Sequence, residues 1–321
     1  MDPEGVETLT RGPIHEAFAN PAELDPAAAP VVSKQPPADV PEQPPDYKPE
    51  GDYIWIPGYW SWDDDRNDFL WVTGVWRQPP PNKRWVPGYW HQVDGGWQRV
   101  QGFWADDAVQ EVTYYEQPPA TLEAGPSSPA PADNYFWVPG NWAYANTAAN
   151  PGFNWQAGYW APYQQNWVYI PARWVWSPAG YVFVPGYWDY RLSNRGQIFA
   201  PVYFQTALYT QPGWFYQPQV VIPTNNLFIY LWLRPRFGGY YFGNYFGPQY
   251  TGLGFMPWVN ISLYSRQRYF YDPFYSYARV HYHQQGVDFL GRVQGWHNYY
   301  AQNPDHRPPV TWREQQRFAL R

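Results

Sequence analysis

The sequence predicts an all-β protein: a Trp-rich repeat meander of antiparallel sheets, sandwich or barrel-like, with about nine repeat strands. A disordered N-terminal arm precedes the repeats, and an irregular, partly helical C-terminal region follows them. Three observations lead there. Aromatic residues make up 22% of the 321-residue chain, including 22 Trp and 30 Tyr, and such side chains suit a pleated surface. Pro and Gly, 38 and 26 residues, leave little room for long helices. A six-residue unit, Trp-x-x-Gly-x-Trp, recurs at strand-like spacing.

Residues 1–50 are rich in Pro, Ala and acids and read as a disordered or extended polyproline arm. The first repeat block, 51–110, carries WIPGYW (Trp55, Gly58, Trp60) and WVTGVW (Trp71, Gly74, Trp76). It continues with WVPGYW (Trp85, Gly88, Trp90) and RVQGFW (Gly102, Trp104). A Pro-rich linker spans 111–133. The second block, 134–205, carries WVPGNW (Trp137, Gly140, Trp142) and WQAGYW (Trp155, Gly158, Trp160). Then come YIPARW (Trp174), FVPGYW (Gly186, Trp188) and a decayed FAPVYF at 199–204.

Copies start 14 to 18 residues apart, enough for a strand of about ten residues and a short turn. The predicted strands are 53–62, 69–77, 83–93, 97–105, 135–144, 153–161, 166–176, 181–190 and 197–205, arranged as meanders of four and five strands. Bulky residues alternate on each side of the Pro-Gly, but the phase slips by one across it. Trp55 and Trp60, Trp85 and Trp90, and Trp137 and Trp142 are thus expected on one face, through a β-bulge with Gly at positive φ. The other face, with Ser61, His91, Asn141, Arg173 and Asp189, reads as partly exposed.

Residues 206–285 read as Tyr/Gly/Phe-rich β or irregular structure, with a hairpin over 220–237 turning at Pro223–Asn226. Residues 286–321 read as a short helical tail: Val287, Leu290, Val293 and Trp296 have near-helical spacing. Thr311 and Glu314 have capping-box spacing, and a helix starting there would run on past Arg321.

The repeated Trp-Pro-Gly-aromatic-Trp units resemble the YXWGXW (WXXGXW) repeat family of bacterial proteins. So do LTRGPIHEAFANP (9–21) and DDDRNDFLWV (63–72), so that the resemblance covers roughly 9–204. It implies an exported or envelope-associated protein with no assigned activity, and it transfers no catalytic residue. The given chain shows no signal peptide and no run long and apolar enough for a membrane helix.

Charge is split along the chain. Residues 1–133 hold 8 basic and 22 acidic residues, and residues 191–321 hold 12 Arg and 4 acids. Enzyme chemistry finds little support. Glu is absent between Glu123 and Glu314, so a carboxylate pair for glycoside hydrolysis is hard to assemble. Asp63-x-Asp65-x-Asn67 has calcium-loop spacing but lacks the Gly and the closing Glu, so turn chemistry is the better account. His281 and His283, on one face of a strand, with His297 as a third ligand, make only a weak metal site. Zero Cys rules out disulfides and thiolate ligands. The acidic front half argues against single-stranded nucleic acid. An outer-membrane barrel would ring its strand ends with aromatics, whereas here Trp brackets mid-strand Pro-Gly.

No catalytic, cofactor or metal residue is therefore assigned. The expected function is a structural or interaction role in a bacterial cell envelope. Its partners would be a second copy or an anionic envelope polysaccharide. The alternative is a glycan-binding module stacking sugars on exposed Trp and Tyr.

Overall fold

A Pro-Gly pair cannot continue a β ladder, and each repeat strand breaks there. A computed structural model of the protein describes residues 4–146, 151–234, 237–264 and 270–308. The repeat strands pair as hairpins. Hairpin A joins Ile54–Ile56 and Tyr59–Asp63 to Asp68–Val72 and Val75–Arg77. Hairpin B joins Lys83–Val86 and Tyr89–Val93 to Gly96–Val100 and Phe103–Asp106. Hairpin C joins Tyr135–Val138 and Asn141–Ala145 to Gly152–Gln156 and Tyr159–Pro162. Hairpin D joins Trp167–Ile170 and Arg173–Ser177 to Gly180–Val184 and Tyr187–Tyr190.

All nine strand windows are strand, but they do not form two meanders. Hairpins B, C and D stay two-stranded. The ninth strand, Gly196–Phe199 and Val202–Phe204, leaves its own block and pairs with hairpin A at Trp76 and Trp71. Two four-stranded sheets result, completed by Val6–Thr8 on one and Val221–Ile222 on the other. No ladder among the described residues closes a barrel.

The expected bulge is absent. Ile56 faces Val75 and Tyr59 faces Val72, so two residues are skipped on each strand and the register runs through unbroken. The same holds in B, C and D. The repeat glycines are not among those with positive φ. Two strands broken at the same level need no extra residue, because both change phase together.

The N-terminal arm is extended and anchored rather than disordered. Val6–Thr8 pairs with Val202–Phe204, Gly12–Pro13 with Tyr241–Phe242, and Ala22–Glu23 with Phe270–Tyr271. Ile14, Ala17 and Phe18 join the main core, and Val32 and Val40 are buried. These apolar residues are few, but they are buried, and short ladders at Val6–Thr8, Gly12–Pro13 and Ala22–Glu23 pair the backbone beside them.

The expected hairpin over 220–237 also gives way: Val221–Ile222 joins the ninth strand, whereas Leu231–Arg234 pairs with Gly239–Phe242. Among the described residues four α-helices follow: α1 (Pro248–Gly252), α2 (Ile261–Tyr264), α3 (Pro273–Gln284) and α4 (Phe289–Gln302). Helix α3 lies where strand or irregular structure was expected. Asp272 caps it by accepting from Tyr275 N at 2.7 Å, with Pro273 at the first helical position. His281 and His283 are therefore on a helix, two residues apart and not on one face. His281 instead bonds Tyr163, and His297 is buried on α4. The helical reading of 286–303 agrees with α4. The capping-box residues Thr311 and Glu314 lie outside the described residues.

Candidate functional site

Each hairpin brings two Trp-x-x-Gly-x-Trp copies face to face, first position against last. In hairpin A, Trp55 pairs with Trp76 and Trp60 with Trp71, as edge-on rings 5.3 and 5.2 Å apart. Hairpin C repeats this with Trp137–Trp160 and Trp142–Trp155 at 5.4 and 5.3 Å. Directly opposed residues share a face.

The glycine has a steric cause. The first Trp of each copy lies over the Gly of the opposite copy. A Cβ on Gly74 would sit 2.4 Å from Trp55 Cζ2, one on Gly158 2.4 Å from Trp137 Cζ2, and one on Gly140 2.5 Å from Trp155 Cζ2. In hairpin B, Trp85 covers Gly102 in the same way, but Arg99 replaces the first Trp and covers Gly88. In hairpin D, Tyr169 covers Gly186. Ala172 stands where the facing copy would have Gly, and the residue in the covering position is the smaller Phe183.

Onto this crossing a Pro-rich strap lays a glutamate. Glu42 accepts from Gly58 N at 2.8 Å, from Gly74 N at 3.1 Å and from Trp71 Nε1 at 3.1 Å. Trp60 Nε1 donates to Ala38 O at 2.9 Å. The Trp55 ring covers the spot on Gly74 that Glu42 also approaches, so Trp55, Trp60, Trp71 and Trp76 share the strap face. In hairpin C, Glu123 accepts from Gly140 N and, at 3.0 Å, from Trp137 Nε1, while Trp142 Nε1 donates to Ala120 O at 3.0 Å. The same-face expectation for Trp137 and Trp142 therefore also holds. Hairpin B answers with an ion pair, Arg99 to Glu16 at 2.7 Å, and Trp104 Nε1 donates to Ala17 O at 3.2 Å.

The strap, first hairpin and second hairpin recur as a unit. Trp90 Nε1 donates to Trp60 O at 2.9 Å, and Trp174 Nε1 to Trp142 O at 2.8 Å. Phe69 meets Trp90 at 5.2 Å as Phe153 meets Trp174 at 5.4 Å. Val32 bridges to Trp97, and Tyr115 bridges to Tyr181. Corresponding residues in the two units (Val32 and Tyr115, Ala38 and Ala120, Glu42 and Glu123, Trp97 and Tyr181) are 81 to 84 positions apart. The chain contains a duplicated module.

The second face of hairpin D is buried, against the expectation of partial exposure. Asp189 is 2% exposed and bonds Arg77 Nη2 at 2.6 and 2.8 Å, with Arg195 at 3.0 Å. Arg77 and Arg195 also donate to Ala17 O and Phe18 O at 2.9 Å each. The Asp63–Asn67 turn is held by Arg residues: Arg66 on Asp63, Arg234 on Asp64 and Arg11 on Asp65.

Sequence reading placed the Trp and Gly positions but missed both strap glutamates. A signal existed: Glu42 lies 13 residues before Trp55, and Glu123 lies 14 before Trp137, each in a Pro-rich stretch. Burial pushes Glu42 up to about 7, although its three donors pull the other way. An unfolded glutamate titrates near about 4. As pH rises from there, the unfolded chain ionises first, and the stability tied to protonated Glu42 is lost on the way to pH 7. Glu42→Gln removes that loss, so its thermal midpoint should gain on the native one between pH 5 and pH 8. A constant difference across that range would contradict the assignment.

Fold and site define an aromatic β-hairpin repeat protein whose faces are filled by its own extended straps. The family model for the WXXGXW repeat, described as two copies, matches residues 52–77, 150–175 and 165–189, so these segments carry the WXXGXW repeat. The first match spans hairpin A and the third spans hairpin D, so the two-copy unit corresponds to one hairpin. No curated protein and no solved structure matches the chain.

Proposed function

We propose that this is a non-enzymatic structural or interaction protein of a bacterial cell envelope, in which Trp hairpins hold extended Pro-rich segments. One observation carries the reading. Two straps far apart in sequence are held alike, by an indole N–H on an Ala carbonyl and by a glutamate on the Gly and Trp N–H groups. Aromatic grooves take polyproline-type chains in this manner, because such chains are already extended and their carbonyls are free. The strap of a second copy offers the same chemistry, which makes self-assembly the first partner class. An anionic envelope polymer is the second, and Arg279 and Arg292, exposed on α3 and α4, would meet it. The envelope setting itself comes with the repeat resemblance.

The test is a labelled peptide of residues 33–47 titrated against the full chain and its Glu42→Ala variant, whose own strap has lost its anchor. The peptide should bind the variant, and a peptide with Ala at the glutamate should bind about tenfold more weakly. A peptide that binds neither chain would overturn the reading. The glycan-binding alternative is favoured by one separate observation, a cleft away from the strap faces.

A further inference from the structure

Between hairpins B and D, roofed by the arm at Pro21–Pro30, lies a cavity of about 570 Å³. That is within the range of clefts that hold small organic ligands. Trp176 and Phe270 line it together with Glu23, Asp25, Arg173 and Gln101, whereas the ring of the bordering Trp174 packs on Tyr115, Phe153 and Phe183. These four polar side chains are unspent. Among the described residues, none of them makes a side-chain hydrogen bond or an ion pair. Arg173 is nonetheless only 8% exposed, and Glu23 feels its charge without reaching it. The fourth charged group, Arg99, is already engaged by Glu16.

A guanidinium and a half-buried carboxylate this close normally pair with each other or with another group. Here both open onto the same space, which Trp176 also lines. We infer that this cleft binds a neutral oligosaccharide, one pyranose ring lying on Trp176 while Glu23, Asp25, Arg173 and Gln101 hydrogen-bond its hydroxyls. Sugar hydroxyls both donate and accept. They can therefore satisfy the carboxylates and the guanidinium together, which an anion or a cation alone cannot. A ring face of C–H groups matches a Trp face. Opposite charges within the cleft also leave it without a strong preference for a charged ligand. Burial favours the protonated form of Glu23, pushing it up to about 8, so the cleft stays close to neutral.

The inference rests on the glycan reading and is independent of the straps. The experiment is isothermal titration of the full chain with cellohexaose, maltohexaose, xylohexaose and chitohexaose, followed by tryptophan fluorescence. The native protein should bind at least one of them. Asp25→Asn and Glu23→Gln, both of unchanged shape, should weaken that binding about tenfold, and Trp176→Leu should weaken it more. Unfolding midpoints of the three variants distinguish lost binding from lost folding, and Asp25, on the rim, is the variant least able to disturb the fold. If an oligosaccharide binds and none of the three changes alters it, the cleft is not the site although the glycan reading stands. If none of the four binds, both fall.

Discussion

Asp189→Asn is expected to destabilise the protein by about 3–5 kcal/mol, among the largest effects of any single substitution in the chain. Among the described residues, Asp189 is the one carboxylate bonded to both Arg77 and Arg195, which are 0% and 2% exposed. Burial together with the neighbouring Arg77 lowers Arg195 to about 10 even with Asp189 in place. Neutralising the acid leaves two buried guanidinium groups facing each other with no anion between them. The cost comes less from a lost attraction than from uncompensated charge. For that reason the double variant Arg77→Met with Asp189→Leu should recover part of the loss. Urea denaturation of the three proteins checks this. A single variant within about 1 kcal/mol of the native protein would refute the account.

Gly158→Ala should cost about 2–3 kcal/mol, because its methyl would enter the space of the Trp137 ring and of Val138 O, 2.4 and 2.7 Å away. The ring cannot retreat without giving up its hydrogen bond to Glu123. The comparison is Gly295→Ala, in the exposed middle of α4, where a Cβ would meet nothing within 4 Å. That change should stabilise by about 0.5–1 kcal/mol, since alanine holds a helix better than glycine. Glycine at the repeat position is then a packing requirement rather than a conformational one. Should both substitutions shift the denaturation midpoint equally, ring packing does not explain the glycine that recurs in the hairpins.

The strands were legible because their causes are local. Alternating Trp and Tyr, Asp-Gly-Gly at 94–96 and Ser-Pro-Ala-Gly at 177–180 mark faces and turns within one hairpin. Pairing between distant segments left no such mark: nothing in FAPVYF says that it belongs beside Trp71 and Trp76. The arm was misread through its average, since its Pro, Ala and acids outnumber Val6, Ile14, Phe18 and Val40, which anchor it. Arg173 and Asp189 looked like surface charges because their partners, or the cleft that receives them, lie far off in sequence. Helix α3 did announce itself, through Asp272-Pro273, but a Tyr-rich stretch with two His looked more like a strand.

The ninth strand has a consequence for how the chain is made. Hairpin A can close on itself as soon as residue 77 is available, yet its outer neighbour is residue 196 or later. The arm waits longer still, for residues 241–242 and 270–271. Contacts that span so much chain are entropically slow to form. During synthesis the first module must therefore persist with an open sheet edge until the second is complete. Its own strap, available from the start, can cover the Trp face of hairpin A through that interval and so act as an intramolecular chaperone before it becomes part of the finished wall.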